Sequence, residues 1–260
     1  MIPVQFLDAI TLVHPSWQPT LHAGLVAIVQ QTPTYLPLLA EADYLPTAGR
    51  LFAAFRQPLD QVRYVLMGEG PYPRAASAIG VCFMDGAVDT LWSAQGLSKP
   101  VNRATSLRNF IKMLLVASGA LDSDHCSGDA LAPVAATALA EGADWIQTLF
   151  ALQHNLENHG FLLLNATLVY RSDVRPVHDA QAWRPFMQVI LTALAQHAER
   201  QQRTLPTLVL WGKIAEALKK LDGVERFPKA ISVHPYNLSF ITNPVMQSLF
   251  GPLRLLRNTG

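Results

Sequence analysis

A three-layer α/β/α fold, with a central and mostly parallel four-stranded sheet flanked by helices, is predicted by two features of the sequence. Four apolar runs, VRYVLMG, FLLLNATLVY, TLPTLVLWGK and the shorter KAISVHPYNLS, end or break at Gly, Pro or a polar residue. Runs that lack strict alternation read as strands buried on both faces. Between them lie stretches with apolar residues at helical spacing, and strands separated by helices pair in parallel.

Each element follows in chain order. The N-terminal stretch HPSWQPTLHAGLVAIVQQTPTYLPLLAEADYLP carries Leu21, Leu25, Ile28 and Val29 at helical spacing behind Ser16, a capping-type residue, and meets Pro33 and Pro37. It predicts a helical layer over residues 1–60, broken by turns, ahead of an α/β core over 61–260 in a single domain. From Val62 the first strand runs into GEGPYP, whose Gly and Pro residues end it abruptly. SLRNFIKMLLVAS is helical. ASGALDSDHCSGDALAPVAATALAEGAD is the least ordered-looking segment, a loop followed by a short extra helix. ADWIQTLFALQHNLENHG is read as helix, FLLLNATLVY as a strand interrupted by Asn165, and WRPFMQVILTALAQHAERQQ as helix. TLPTLVLWGK is a strand stopping at Gly212 and Lys213, IAEALKKL a helix, and KAISVHPYNLS the last strand. In such sheets ligands collect outside the carboxyl ends of the strands, so the polar residues ending these runs are candidates for one site.

Composition narrows the function classes. Half of the 260 residues are apolar and 15% are charged, enough to bury a core and too apolar for a disordered chain. No run approaches the length of a membrane span, and the first residues, which carry Asp8 and no basic residue, do not read as a signal peptide. Two cysteines make no disulfide framework, which predicts a reducing, cytoplasmic setting. His125, Cys126, Asp122 and Asp124 match no zinc spacing, so no metal site is predicted. The net charge of +1 argues against a tail-driven nucleic-acid binder. That sum hides an asymmetry: residues 201–260 hold eight Lys and Arg against three acids, whereas residues 1–200 hold 12 against 16. A basic face for an anionic ligand is one reading of it and ordinary scatter is the other.

Five ordered segments carry a family resemblance. QVRYVLMGEGPYPRAASAIGVCF, VNRATSLRNFIKML, GFLLLNATLVYR, TLVLWGK and ISVHPYNLS resemble, in order and separation, the motif segments of the uracil-DNA glycosylases, and LPTAGRLFAAFRQPLDQV resembles the stretch that precedes them. The resemblance runs from about Trp17 to near the C-terminus. It implies hydrolysis of the N-glycosidic bond of uracil in DNA, on a base flipped out of the stack. By this resemblance Asn165 reads the uracil edge, Phe83 stacks on the base and Tyr72 crowds the position of a thymine methyl. His234 bonds uracil O2 and stabilises the departing anion, and Leu238 fills the vacated stack. Ser106, Ser239, Lys213 with Gly212, and Pro71 lie on loops that contact the DNA backbone. No cofactor is implied. The expected partner is DNA containing uracil or a damaged base, with a replication or repair protein as a further one, and the expected state is a monomer.

The chain departs from the family at one position above all. Where the family has G-Q-D-P-Y, this chain has Gly68-Glu69-Gly70-Pro71-Tyr72, so the aspartate that positions water and stabilises the cationic sugar is Gly70. Loss of such a group costs about 100- to 1,000-fold in rate. Three readings follow: a glycosylase of reduced activity that relies on His234 and on a neighbouring carboxylate, Glu69 or Asp85; an inactive module that binds DNA or protein; or a pocket for a different base. A retained set of Asn165, Phe83, Tyr72, His234 and Leu238 favours the first. Tyr236-Asn237 in place of Ser-Pro, and Arg103-Ala104-Thr105 in place of a proline-rich turn, predict looser DNA-pinching loops.

Overall fold

The order of the elements is set by four short strands. In the computed structural model, which describes residues 1–219 and 221–258, β1 (Tyr64–Gly68) and β4 (Phe161–Asn165) pair in parallel from Tyr64 opposite Phe161 to Gly68 opposite Asn165. With β5 (Thr207–Trp211) and β6 (Lys229–Ser232) they form a four-stranded sheet in the order β4-β1-β5-β6. β2 (Trp92–Ser93) and β3 (Gly96–Leu97) form a separate small antiparallel pair. Ten α-helices are found among the described residues: α1 (Val4–Thr11), α2 (Gln18–Gln31), α3 (Tyr35–Ala40), α4 (Lys99–Arg103), α5 (Thr105–Ala117), α6 (Gly128–Ala138), α7 (Leu149–Asn158), α8 (Pro176–Arg200), α9 (Ile214–Leu218) and α10 (Pro244–Phe250). The α/β class with a central sheet and flanking helices is the one predicted.

The chain folds as two compact units. The first comprises Met1–Asp85, Gly160–Val209 and Ile214–Lys229. Its core is aromatic: Phe52 stacks on Phe186 with centroids 5.9 Å apart, and Trp183 meets Phe186 edge-on at 5.1 Å. Gly24 lets α2 lie against α8, because a Cβ there would stand 2.5 Å from the Phe186 ring. Asp179, buried on α8, accepts from the Tyr35 hydroxyl at 2.7 Å and from Arg171 at 2.6 and 3.2 Å. That network ties the segment leaving β4 to α3 and α8.

The second unit comprises Gly86–His159, Leu210–Lys213 and Ala230–Gly260. Phe110 on α5 packs edge-on against Phe250 at 5.2 Å, and Trp211 does the same against Phe240 at 5.3 Å. Trp92 and Trp145 meet at right angles, 5.5 Å apart.

Some local expectations are corrected. Ser16 does not cap α2: its hydroxyl accepts the Leu59 N–H at 2.9 Å and pairs with His14. Helix α7 starts only at Leu149, because Trp145 forms an antiparallel bridge to Arg257 and Thr148 bridges Thr90 before capping the helix. Helix α8 starts earlier than read, with Pro176 at its first position. The basic excess of the last quarter divides between the units and is largely engaged. Arg226 pairs with Glu199, Lys219 with Glu216 and Arg257 with Asp144, while Lys229 donates to the carbonyls of Glu225 and Phe227. Lys220 lies outside the described residues.

Candidate active site

In the first unit the candidate residues gather where β1 and β4 end side by side. Beyond the sheet the ladder continues, with Ala166 N–H donating to Gly68 O at 2.8 Å and Thr167 N–H to Glu69 O at 3.1 Å. The loops carrying Glu69 and Thr167 therefore leave the sheet as a pair. Asn165 is 3% exposed. Among the described residues its side-chain amide makes no hydrogen bond to the protein, and its polar atoms are not among those sealed from solvent without a partner.

Gly68 is what gives Asn165 its room. A Cβ at residue 68 would lie 2.5 Å from Asn165 Oδ1 and 2.7 Å from Cys82 Cβ, closer than atoms approach. Cys82 straps the strand pair, donating its N–H to Leu163 O and its thiol to Leu66 O, each at 3.1 Å. Burial pushes that thiol far up from the ordinary range, so it is a packing residue rather than a nucleophile. The following residue, Phe83, adopts φ 67°, a left-handed conformation that costs a bulky side chain about 1–3 kcal/mol. Tyr72 fixes that turn by donating its hydroxyl to Phe83 O at 3.0 Å. Burial, with the nearby Asp85 charge, raises the Tyr72 phenol, so it stays a neutral donor.

The loop between these groups holds no carboxylate at residue 70. Gly70 is exposed, and a Cβ there would find only Thr167 O at 3.7 Å and Thr167 Cβ at 3.8 Å, ordinary contacts. Pro71 is partly buried and Glu69 exposed. Asp85 is buried and ion-paired with Arg74 at 3.2 Å.

In the second unit a different group of candidates gathers on the segments after β5 and β6. Gly212 takes φ 68° and donates its N–H to Ser232 O at 2.9 Å; a Cβ on it would come within 3.1 Å of His234 Cβ. His234 is exposed, and its Nδ1 accepts the Tyr236 backbone N–H at 3.1 Å. A backbone N–H can only donate, so in the neutral ring Nε2 carries the proton. The turn is closed by Asn237, whose backbone N–H and side-chain amide both donate to His234 O, at 2.9 and 3.2 Å. Leu238 projects into solvent at 70% exposure, at the start of a short 3-10 turn anchored by the buried Phe240. Lys213 and Ser239 are exposed, and Ser106 is partly buried in the first turn of α5.

Two residues of these groups went unselected in the sequence. Asn109, fully buried on α5, donates to Pro235 O at 2.7 Å and so holds the His234 loop from below. The visible signal was a polar residue on the apolar face of an amphipathic helix. Thr167, 6% exposed, lies against Gly70; two residues after Asn165, it looked like ordinary strand sequence.

Comparison with known proteins bears on these groups. No family model matches the chain. It is 32% identical over 234 residues to a uracil-DNA glycosylase of Corynebacterium glutamicum, covering 87% of this chain and 81% of that one. To a uracil-DNA glycosylase of Mycobacterium leprae it is 27% identical over 202 residues, covering 78% and 71%. Among solved structures it superposes on the wild-type UNG of Nitratifractor salsuginis with a TM-score of 0.86 at 38% identity, covering 98% and 96% of the two chains. The mimivirus uracil-DNA glycosylase, at 16% identity and a TM-score of 0.53, shares the fold.

Proposed function

The chain belongs to the uracil-DNA glycosylase family, and from that premise we propose that it hydrolyses the N-glycosidic bond of uracil in DNA, at a rate reduced by the glycine at residue 70. The observation that carries this reading is Asn165 at the end of β4, 3% exposed as a residue, with a side-chain amide that makes no hydrogen bond among the described residues. Its Oδ1 accepts from uracil N3–H and its Nδ2 donates to O4. Cytosine reverses both groups and would leave two mismatched pairs, a strong ground for rejection.

Phe83, in its strained turn, supplies a stacking face, and Tyr72, tied to Phe83 O, occupies the space a thymine methyl would need. His234, with Nε2 as the protonated nitrogen, donates to uracil O2 as negative charge develops there. Such a donor stabilises the leaving anion more than the bound base and so acts on the rate rather than on binding alone. Leu238 fills the gap left by the extruded nucleotide, and its exposure suits insertion between bases. Lys213, Ser106, Ser239 and Pro71 contact the backbone.

Water attacks C1′ as the glycosidic bond breaks, the uracil anion departs with the bonding electrons, and the proton that the attacking water loses is released to solvent. In the absence of an aspartate at 70, Glu69 is the adjacent carboxylate to align that water and to balance the positive sugar. The test is incubation of enzyme in excess with uracil-bearing single- and double-stranded oligonucleotides, followed by alkaline cleavage of abasic sites. Slow, uracil-specific cleavage is expected, and no cleavage at high enzyme excess overturns the catalytic reading. Loss of that cleavage in Glu69→Gln, with folding intact, is the result expected if Glu69 aligns the water.

A further inference from the structure

We propose that the back edge of the first unit holds a second binding site, for a phosphate-bearing ligand of about the size of a nucleoside monophosphate. A cavity of about 310 Å³ opens there. Arg63, one of its lining residues, immediately precedes β1 and accepts the Thr207 N–H at 2.9 Å where β5 begins. The site therefore lies at the amino ends of these strands, whereas the Glu69 and Thr167 loops leave their carboxyl ends.

Two guanidinium groups meet at this cavity. Arg63 Nη1 donates to Asp60 O at 2.7 Å, and Arg203 Nη1 donates to the same oxygen at 3.0 Å. Sharing one acceptor brings two permanent positive charges together, and like charges so placed repel. Among the described residues neither arginine pairs with a carboxylate, although Asp60 is itself a lining residue. Their remaining N–H groups are donors for an anion, and the arginine fork matches phosphate oxygens. His197 also lines the cavity, and its Nε2, shielded from water, has no partner among the described residues.

Apolar residues such as Val62, Leu194 and Pro206 form much of the rest of the wall, with Thr204 among them. Charged donors on one side of an apolar wall suit a ligand with an anionic head and a flat, weakly polar body. The volume is at the lower end of small-ligand pockets, which favours a mononucleotide over anything larger.

The test is calorimetric titration of the full chain with inorganic phosphate, nucleoside monophosphates, the matching nucleosides, and oligonucleotides with and without a 5′-phosphate. Monophosphates should bind, phosphate alone should bind about tenfold or more weakly, and nucleosides should not bind. Arg203→Gln and Arg63→Gln should each weaken the monophosphate by about tenfold and leave uracil excision unchanged. Amide shift mapping by NMR should place the perturbed residues around Arg63 and His197, independently of either variant. No binding at about 10 mM, binding indifferent to both arginine changes, or shifts confined to the Asn165 region would each overturn the proposal. Binding of the phosphorylated oligonucleotide but not of the mononucleotide would overturn the assigned ligand, making the site a receptor for nucleic-acid ends.

Discussion

Replacing Gly70 by aspartate should raise the rate of uracil excision by about 100- to 1,000-fold, equivalent to about 2.7–4 kcal/mol of transition-state stabilisation. The structure sets what the substitution costs. Gly70 does not take a left-handed conformation, and its added Cβ would meet only Thr167 O at 3.7 Å and Thr167 Cβ at 3.8 Å. Neither contact demands movement. The Thr167 carbonyl repels a carboxylate, so the aspartate should turn away from it. Restricting a loop glycine also lowers the entropy of the unfolded chain, which offsets part of any strain, and stability should change by no more than about 1 kcal/mol. Single-turnover cleavage of a uracil oligonucleotide reads the rate, and thermal unfolding reads the fold. Gly70→Asn is the control, with nearly the same shape and no charge. An unchanged rate in a folded Gly70→Asp protein would refute the reasoning, as would an equal gain from asparagine.

Other substitutions probe the groups around that loop. Asn165→Asp removes the amide donor and adds a charge facing uracil O4; in protein that thermal unfolding shows to be folded, kcat/KM for uracil should fall by at least about 100-fold in steady-state cleavage. Asn109→Ala leaves the buried Pro235 carbonyl without its donor at 2.7 Å; it should cost about 1–3 kcal/mol in denaturant unfolding and slow excision by loosening the His234 turn. Gly68→Ala drives a methyl into Asn165 Oδ1 and Cys82 Cβ, and should cost about 1–3 kcal/mol while displacing the amide, so stability and activity should fall together.

The parts of the fold legible in the sequence are those whose residues are dictated locally. The sheet strands are apolar because both faces are covered, and so they stand out against their turn-rich ends. Asn165 stands out for the opposite reason, as a polar residue where burial penalises one. Segments fixed by distant partners were not legible. Residues around Trp145 have a helical pattern but are held extended by Arg257, more than a hundred positions away. Ser16 looks like a cap, yet its hydroxyl serves Leu59. A sum of charges is similarly blind to pairing: Arg226, Lys219 and Arg257 count toward a basic quarter but are neutralised by Glu199, Glu216 and Asp144. Under the proposed function, phosphate attraction must then come from fewer groups than the eight that the sequence offers, Lys213 being one candidate.

Gly68, the last residue of β1, and Gly70, in the loop that follows, stand two residues apart and have opposite explanations. At 68 the glycine is imposed by packing, since any side chain would strike the Asn165 amide and the Cys82 methylene. At 70 neither backbone conformation nor available space requires one. The fold would accommodate the carboxylate that this position lacks, so its absence is not a by-product of how β1 meets β4. Under the proposed function it is a difference in chemistry rather than in fold, since Gly68 still shelters Asn165 and Tyr72 still fixes Phe83. The physical consequence is that the scaffold and the rate should be separable: changes at 68 should damage both, and changes at 70 should move only the rate.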